Sequence, residues 1–228
     1  MGEGFPVLSG AGAYPLRFPE TIGGSTLPGM SLLELAEDSI TFARSCTPLK
    51  SDNKGYGALS PVPPSKGVAY SPAKRLARSQ AVFEVKKAMP PRDCNLTDIL
   101  AYGHHVAKAH AGNCFEQCAA AMIHITWKLK GADTPFNIVT LASPGDHAFI
   151  ALGQPLASRI YPKDFANWDA GAVICDPWAK IACKAAEYPA KWKAKMAKWD
   201  ARELSIGRAK PATWSDAIED SDKMSYMP

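Results

Sequence analysis

Asn113–Leu152, NCFEQCAAAMIHITWKLKGADTPFNIVTLASPGDHAFIAL, decides the fold, because the period of its apolar residues changes partway along it. In the first half Phe115, Ala119, Met122, Ile123 and Trp127 recur at helical spacing. They predict a helix from Asn113 or Cys114 to about Leu129, ended by Gly131. Beyond Gly131 the apolar runs become short and β-branched. Phe136–Leu141 and His147–Leu152 predict strands, with Ser143-Pro144-Gly145 as the turn between them. Ala172–Asp176 is a third strand. Working outward, Asn95 or Thr97 caps a helix to about Ala111, with Leu96, Ile99, Leu100 and Val106 inward. Before it, Pro72–Met89 reads as a basic helix with Leu76, Val82, Phe83 and Val85 as its apolar points. Near the C-terminus a helix over Tyr188–Ile206 carries Trp192, Met196 and Trp199 on one stripe. Helices first and strands after them give an α+β class rather than alternating α/β.

Residues 1–72 differ in texture. They hold 10 of the 17 Gly and 9 of the 19 Pro, too many breakers for a dense core of their own. One helix interrupts them, where Ser31 and Glu34 form a capping box and Leu32, Leu35, Ala36 and Ile40 share a face. The expected organisation is a flexible N-terminal segment at 1–72 with that helix, a thiol-enzyme domain at 73–208, and an acidic, frayed tail at 209–228. At 46% hydrophobic and 21% charged the chain reads as globular. No run reaches the roughly 20 apolar residues that span a bilayer. Met1–Pro6 has neither the basic nor the apolar region of a Sec signal. A net charge of +4 without a motif argues against nucleic acid. The six cysteines read as reduced thiols rather than a disulfide framework, and Cys175 and Cys183 as small core residues.

Three short motifs carry chemistry. In Gly112-Asn113-Cys114-Phe115-Glu116, a cysteine in the first helical turn meets unpaired N–H groups and the positive end of the helix dipole. Both favour the reactive thiolate, and the same N–H groups can hold an oxyanion. The alternative for Cys114 is a buried structural thiol. In Gly145-Asp146-His147-Ala148-Phe149, a histidine opens an apolar strand within reach of a neighbouring helix end. Alternatively it is a surface residue. In Val173-Ile174-Cys175-Asp176-Pro177-Trp178, an acid closes an apolar strand, which is costly unless it is paired. Beside the His147 strand, Asp176 would orient the imidazole, and Trp178 would shield that bond. His110 is a reserve base, and Asp146, Asp164 and Asp169 are reserve orienters. His104, His105, His110, Cys114 and Cys118 cluster, yet their spacing fits no standard zinc pattern, so no metal is expected.

The order and contexts of these motifs resemble the papain-like and transglutaminase-like superfamily. They are most similar to its bacterial toxin and type III effector members, whose Asn-Cys, His-Ala-Phe and Asp-Pro motifs match Asn113-Cys114, His147-Ala148-Phe149 and Asp176-Pro177. The resemblance covers roughly residues 95–185. It implies a papain-like fold, with N-terminal helices and a helix-start nucleophile packed on a small antiparallel sheet. It also implies roles: Cys114 as nucleophile, His147 as base, Asp176 as orienter. Peptide cleavage, glutamine deamidation, transglutamination and acyl transfer all occur in that group. Likeness to compact toxin domains favours deamidation of a host protein, by a monomer without cofactor, delivered into the host cytoplasm by an uncleaved N-terminal signal. No Gln stands just upstream of Cys114, so Asn113 or backbone N–H groups would complete the oxyanion site. The rival class is a non-catalytic interaction module. It would use the basic helices, of which Lys191–Trp199 could also meet a membrane, although its lysines read more simply as a solvated face.

Overall fold

The computed structural model describes residues 29–56 and 72–227, except residues 131, 144, 157 and 208. The fold is α+β. The helices are α1 (Leu32–Cys46), α2 (Pro72–Lys86), α3 (Leu96–Ala109), α4 (Cys114–Lys128), α5 (Tyr188–Asp200) and the short α6 (Ala217–Asp220). The strands are β1 (Lys54–Tyr56), β2 (Phe136–Leu141), β3 (Ala148–Leu152), β4 (Ile160–Tyr161), β5 (Val173–Asp176), β6 (Ile181–Lys184), β7 (Leu204–Ile206) and β8 (Lys223–Ser225). Six of these form an antiparallel sheet in the order β4-β8-β2-β3-β5-β6, and β1 pairs with β7 in a separate two-stranded sheet. Among the described residues no helix is long and apolar enough to cross a membrane.

The large sheet is buried on both faces. On one face Ile138, Ile150, Leu152, Val173 and Cys175 pack against α1 and α4, with α3 behind α4. On the other, Val139, Phe149, Ala151 and Ile174 join an aromatic core of Phe165, Trp168, Trp178, Tyr188 and Trp192. Strand alternation explains why Ala148–Leu152 is apolar throughout: successive side chains enter different cores.

The N-terminal helix is not an appendage. Its Ser31–Glu34 capping box forms as expected, with Ser31 N–H donating to Glu34 Oε2 at 2.8 Å. Leu35, Ala36, Ile40 and Ala43 are buried in the helix-side core, so the unit bounded at residue 73 must extend back to α1. The tail is not frayed either. β8 lies between β4 and β2, and Tyr226 packs on Phe115 with ring centroids 4.3 Å apart. Its acidity misleads because the acids sit in and around α6, whereas Ile218, Tyr226 and Met227 are buried. Trp127 is 48% exposed rather than part of the buried stripe. It lies about 200° around the helix from buried Ile125, at 100° per residue. On α2, Leu76 and Phe83 are exposed while Val82 and Val85 are buried. The last long helix stops at Asp200; Glu203 turns left-handed (φ 56°) and Leu204–Ile206 continues as strand.

Candidate active site

The start of α4 is built by close packing. A methyl group on Gly103 would run into the carbonyl oxygen of Ala119, so α3 and α4 touch at backbone distance. α3 ends at His110, itself in the left-handed conformation (φ 60°), and not at Gly112. Gly112 instead permits a close approach: a Cβ there would lie 2.5 Å from Glu116 Cβ. Glu116 is buried. It accepts from Asn113 N–H (2.8 Å) and from the Tyr102 hydroxyl (3.0 Å), which locks the first turn. Cys114 therefore begins the helix, partly exposed, where the helix-side and aromatic cores meet.

His147 and Asp176 come together through sheet register. β3 and β5 are antiparallel neighbours with Ile150 opposite Cys175. His147 and Asp176 then share the aromatic face as diagonal neighbours. His147 Nε2 lies 2.9 Å from Asp176 Oδ2. The bond fixes Nε2 as the protonated nitrogen and leaves Nδ1 free of Asp176, in a ring that lines the same cavity as Cys114. The turn before His147 is held from the C-terminus, since Gly145 N–H donates to Ser221 Oγ (2.8 Å) and Ala142 N–H to Asp222 O (2.9 Å).

Both members of the pair are removed from water, with His147 4% and Asp176 0% exposed. Burial by itself would strip the imidazole of its proton. The Asp176 charge and hydrogen bond, with a further contribution from Cys114, reverse this and hold His147 well above its ordinary range. Burial likewise opposes the Asp176 charge, but His147, the Ala179 N–H (2.8 Å) and the Tyr188 hydroxyl (2.8 Å) hold its carboxyl below the usual range. Both shifts run toward the charged forms, imidazolium and carboxylate. Trp178 lies against His147 with ring centroids 5.2 Å apart, and the ring of Trp192 is 4.7 Å away.

The reserve residues have other positions. Asp164 caps a 3-10 turn through Ala166 N–H, and Asp169 accepts from Gly171 N–H. Asp146 is exposed at the cavity mouth, and His104, His105 and His110 are exposed on or after α3. Among the described residues no group of three or more His, Cys, Asp or Glu is placed to hold a metal ion.

Asn113 is buried, and its Oδ1 accepts from Asp52 N–H at 3.2 Å, which pins the loop before β1 against the start of α4. That loop supplies a residue the motifs did not reveal. Asn53 lines the cavity that contains Cys114 and His147. Trp178 Nε1 donates to Asn53 Oδ1 at 3.1 Å. An indole N–H can only donate, so the amide orientation is determined and Nδ2 is left for another acceptor. The loop is held in place three further ways: Gly207 N–H donates to Asn53 O at 2.6 Å, Arg78 donates to Ser51 O at 3.3 Å, and the Lys54 ammonium donates to Trp178 O at 3.0 Å. Asn53 stands some sixty residues before Cys114, so only the tertiary contacts could expose it. Comparison of the chain with family models, with curated proteins and with solved structures finds no match in any of the three.

Proposed function

We propose that this protein is a cysteine-dependent hydrolase of the papain-like and transglutaminase-like kind. Cys114 is its nucleophile, His147 its acid and base, and Asp176 the residue that orients and charges His147. The observation that carries the reading is the buried Asp176–His147 pair, whose imidazole lines one cavity with a helix-start cysteine that is the partly exposed one of six. In this reaction the Cys114 thiolate attacks a carboxamide carbon. The carbonyl oxygen becomes an oxyanion, received by first-turn N–H groups of α4 and by Asn53 Nδ2. His147 gives its proton to the leaving nitrogen, ammonia departs and a thioester remains. His147, now neutral, takes a proton from water, whose oxygen displaces Cys114 and releases a carboxylic acid.

The shape of the cavity favours a side-chain carboxamide over a main-chain peptide. It has a volume of about 80 Å³ and is walled by Trp178, Trp192, Trp214 and Ile206. Ordinary ligand pockets run to roughly 300–1,000 Å³. A glutamine side chain enters such a hole end-on, whereas an extended peptide needs an open channel on both sides of the sulfur. The substrate class is therefore a protein glutamine, and the type III effector resemblance points to a host protein.

Intact-mass spectrometry of candidate host proteins tests the reading. Wild-type enzyme should add the mass that marks exchange of NH2 for OH, and Cys114→Ala should not. Fragments in place of that shift would establish a protease instead. No modification of any kind, by an enzyme whose Cys114 is also unreactive, would favour the non-catalytic module. Export to a host is tested by removing residues 1–28. Truncation to residue 50 would delete α1 and its buried face, and so confound export with unfolding.

A further inference from the structure

A second concavity lies outside the active site, at the opposite side of β5. β6 is the edge of the six-stranded sheet and pairs only with β5 among the described strands. Its other edge therefore carries backbone N–H and C=O groups with no strand beside them. α1 and α5 rise on either side of this edge, and the groove between them has a volume of about 560 Å³, with Ile40, Ile181 and Ala182 along its floor. The isoleucines are recessed, at 4% and 5% exposure, so the floor is reached from within the groove only.

The rim is cationic. Lys180, Lys191, Lys195 and Lys198 line the groove against a single acid, Glu37. Lys191 is already paired with Glu187 at 3.0 Å. Lys195 is half-buried, and burial together with the charges of Lys198, Lys180 and Arg44 pushes its ammonium down, so these cations repel one another. An anion bound among them would relieve that repulsion.

From this juxtaposition we infer that the groove is a docking site for an extended acidic segment of a partner protein, which adds as a strand to the free edge of β6. One set of alternate residues of the segment places apolar side chains on Ile40, on the α1 side of the sheet, and the other set turns carboxylates toward the lysines of α5, on the side of Ile181. A membrane surface does not fit, because a bilayer cannot enter a concave groove to reach its floor. The chain's own acidic stretch, residues 216–222, does not fit either, since it is folded into α6 and the approach to β8. The bland alternative is that the lysines merely keep β6 from pairing with other sheets.

Fluorescence anisotropy separates these readings with a labelled peptide that alternates Glu and Val. Saturable binding that weakens with salt is expected. Lys195→Glu with Lys198→Glu should weaken it at least about tenfold, through two reversed charges. The same peptide N-methylated on its edge-facing residues should lose binding as well, which separates strand addition from charge attraction alone. Unchanged Cys114 alkylation in the double variant shows that its fold persists. The inference fails if the acidic peptide does not bind, if the charge reversal or the N-methylation leaves affinity unchanged, or if anionic vesicles compete as well as free peptide. Binding needs no chemistry at Cys114, so a Cys114→Ala protein should bind equally, and failure here is distinct from failure of the hydrolase reading.

Discussion

Asp176→Asn tests the core of the proposed chemistry, because the substitution keeps the shape of the side chain and removes its charge. In the wild-type protein Asp176 Oδ2 accepts from both His147 and Tyr188, and Oδ1 accepts from Ala179 N–H. An amide has one acceptor oxygen for these two positions, so at least one donor must face an NH2 group inside the core. The larger effect is on His147. With the carboxylate gone, the main influence opposing burial is lost, only the contribution from Cys114 remains, and the neutral imidazole is favoured. A hydrogen bond to a charged group contributes about 1.5–3 kcal/mol. At about 1.4 kcal/mol per tenfold, the thiolate–imidazolium population should fall roughly ten- to a hundredfold.

Iodoacetamide reads this population almost without background. Cys46, Cys94, Cys118, Cys175 and Cys183 are all buried, and burial pushes each of these thiols up. In wild-type protein Cys114 should alkylate rapidly even at about pH 6, because His147 stays charged there. In Asp176→Asn the rate should fall by the factor above. Tyr188→Phe keeps the charge and removes one of three donors to Asp176, so its effect should be well under the Asp176→Asn loss. If folded Asp176→Asn alkylates at the wild-type rate across the acidic range, Asp176 does not sustain the imidazolium and the triad assignment is wrong.

Asn53→Ala should leave iodoacetamide alkylation unchanged but slow acylation by an activated ester, by about a hundredfold if Asn53 Nδ2 receives the oxyanion; equal loss in both reactions would mean that the loop has simply moved. Gly103→Ala should destabilise the fold by about 1–3 kcal/mol in urea unfolding, as forced separation of α3 and α4 demands, and an unchanged midpoint would contradict their backbone contact. Lys54 lies over the rings of Trp178 and Trp199, and burial pushes its ammonium down to about 7 from 10.5. Between those values the unfolded chain binds more protons than the folded one, so this residue makes stability rise with pH across that window. Lys54→Met should flatten the rise in urea melts at the two ends of the window, and a slope identical to wild type would show that the ammonium is not desolvated.

What the sequence could reveal depended on whether a feature was local. The capping box at Ser31, the helix cap at Asn95 (one of the two residues the sequence offers), the helix start at Cys114, and strands over Phe136–Leu141 and from about Ala172 to Asp176 depend on residues a few positions apart, and each lies close to where its pattern indicates. His147 and Asp176 were legible as chemistry because an imidazole and an acid at the ends of apolar strands are expensive without a partner. Their pairing, however, depends on the β3–β5 register, which no single segment specifies. β8 and β6 were missed for a physical reason. Each is three or four residues long, and Lys223 and Lys184 break the apolar alternation. Lys223 is nonetheless fully buried, donating to Ser221 O at 2.9 Å with its ammonium 4.9 Å from the Phe165 ring centroid, a contact composition alone cannot anticipate. Asn53 is the extreme case. Nothing near it in sequence marks it, and it gains meaning only because Trp178, Gly207 and Asn113 converge on its loop from three separate parts of the chain. The nucleophile, base and orienter of a site can be written into local patterns, because each is costly to bury or expose in isolation. The group that receives the developing charge need only be a donor held still, and almost any polar residue on an anchored loop can fill that role.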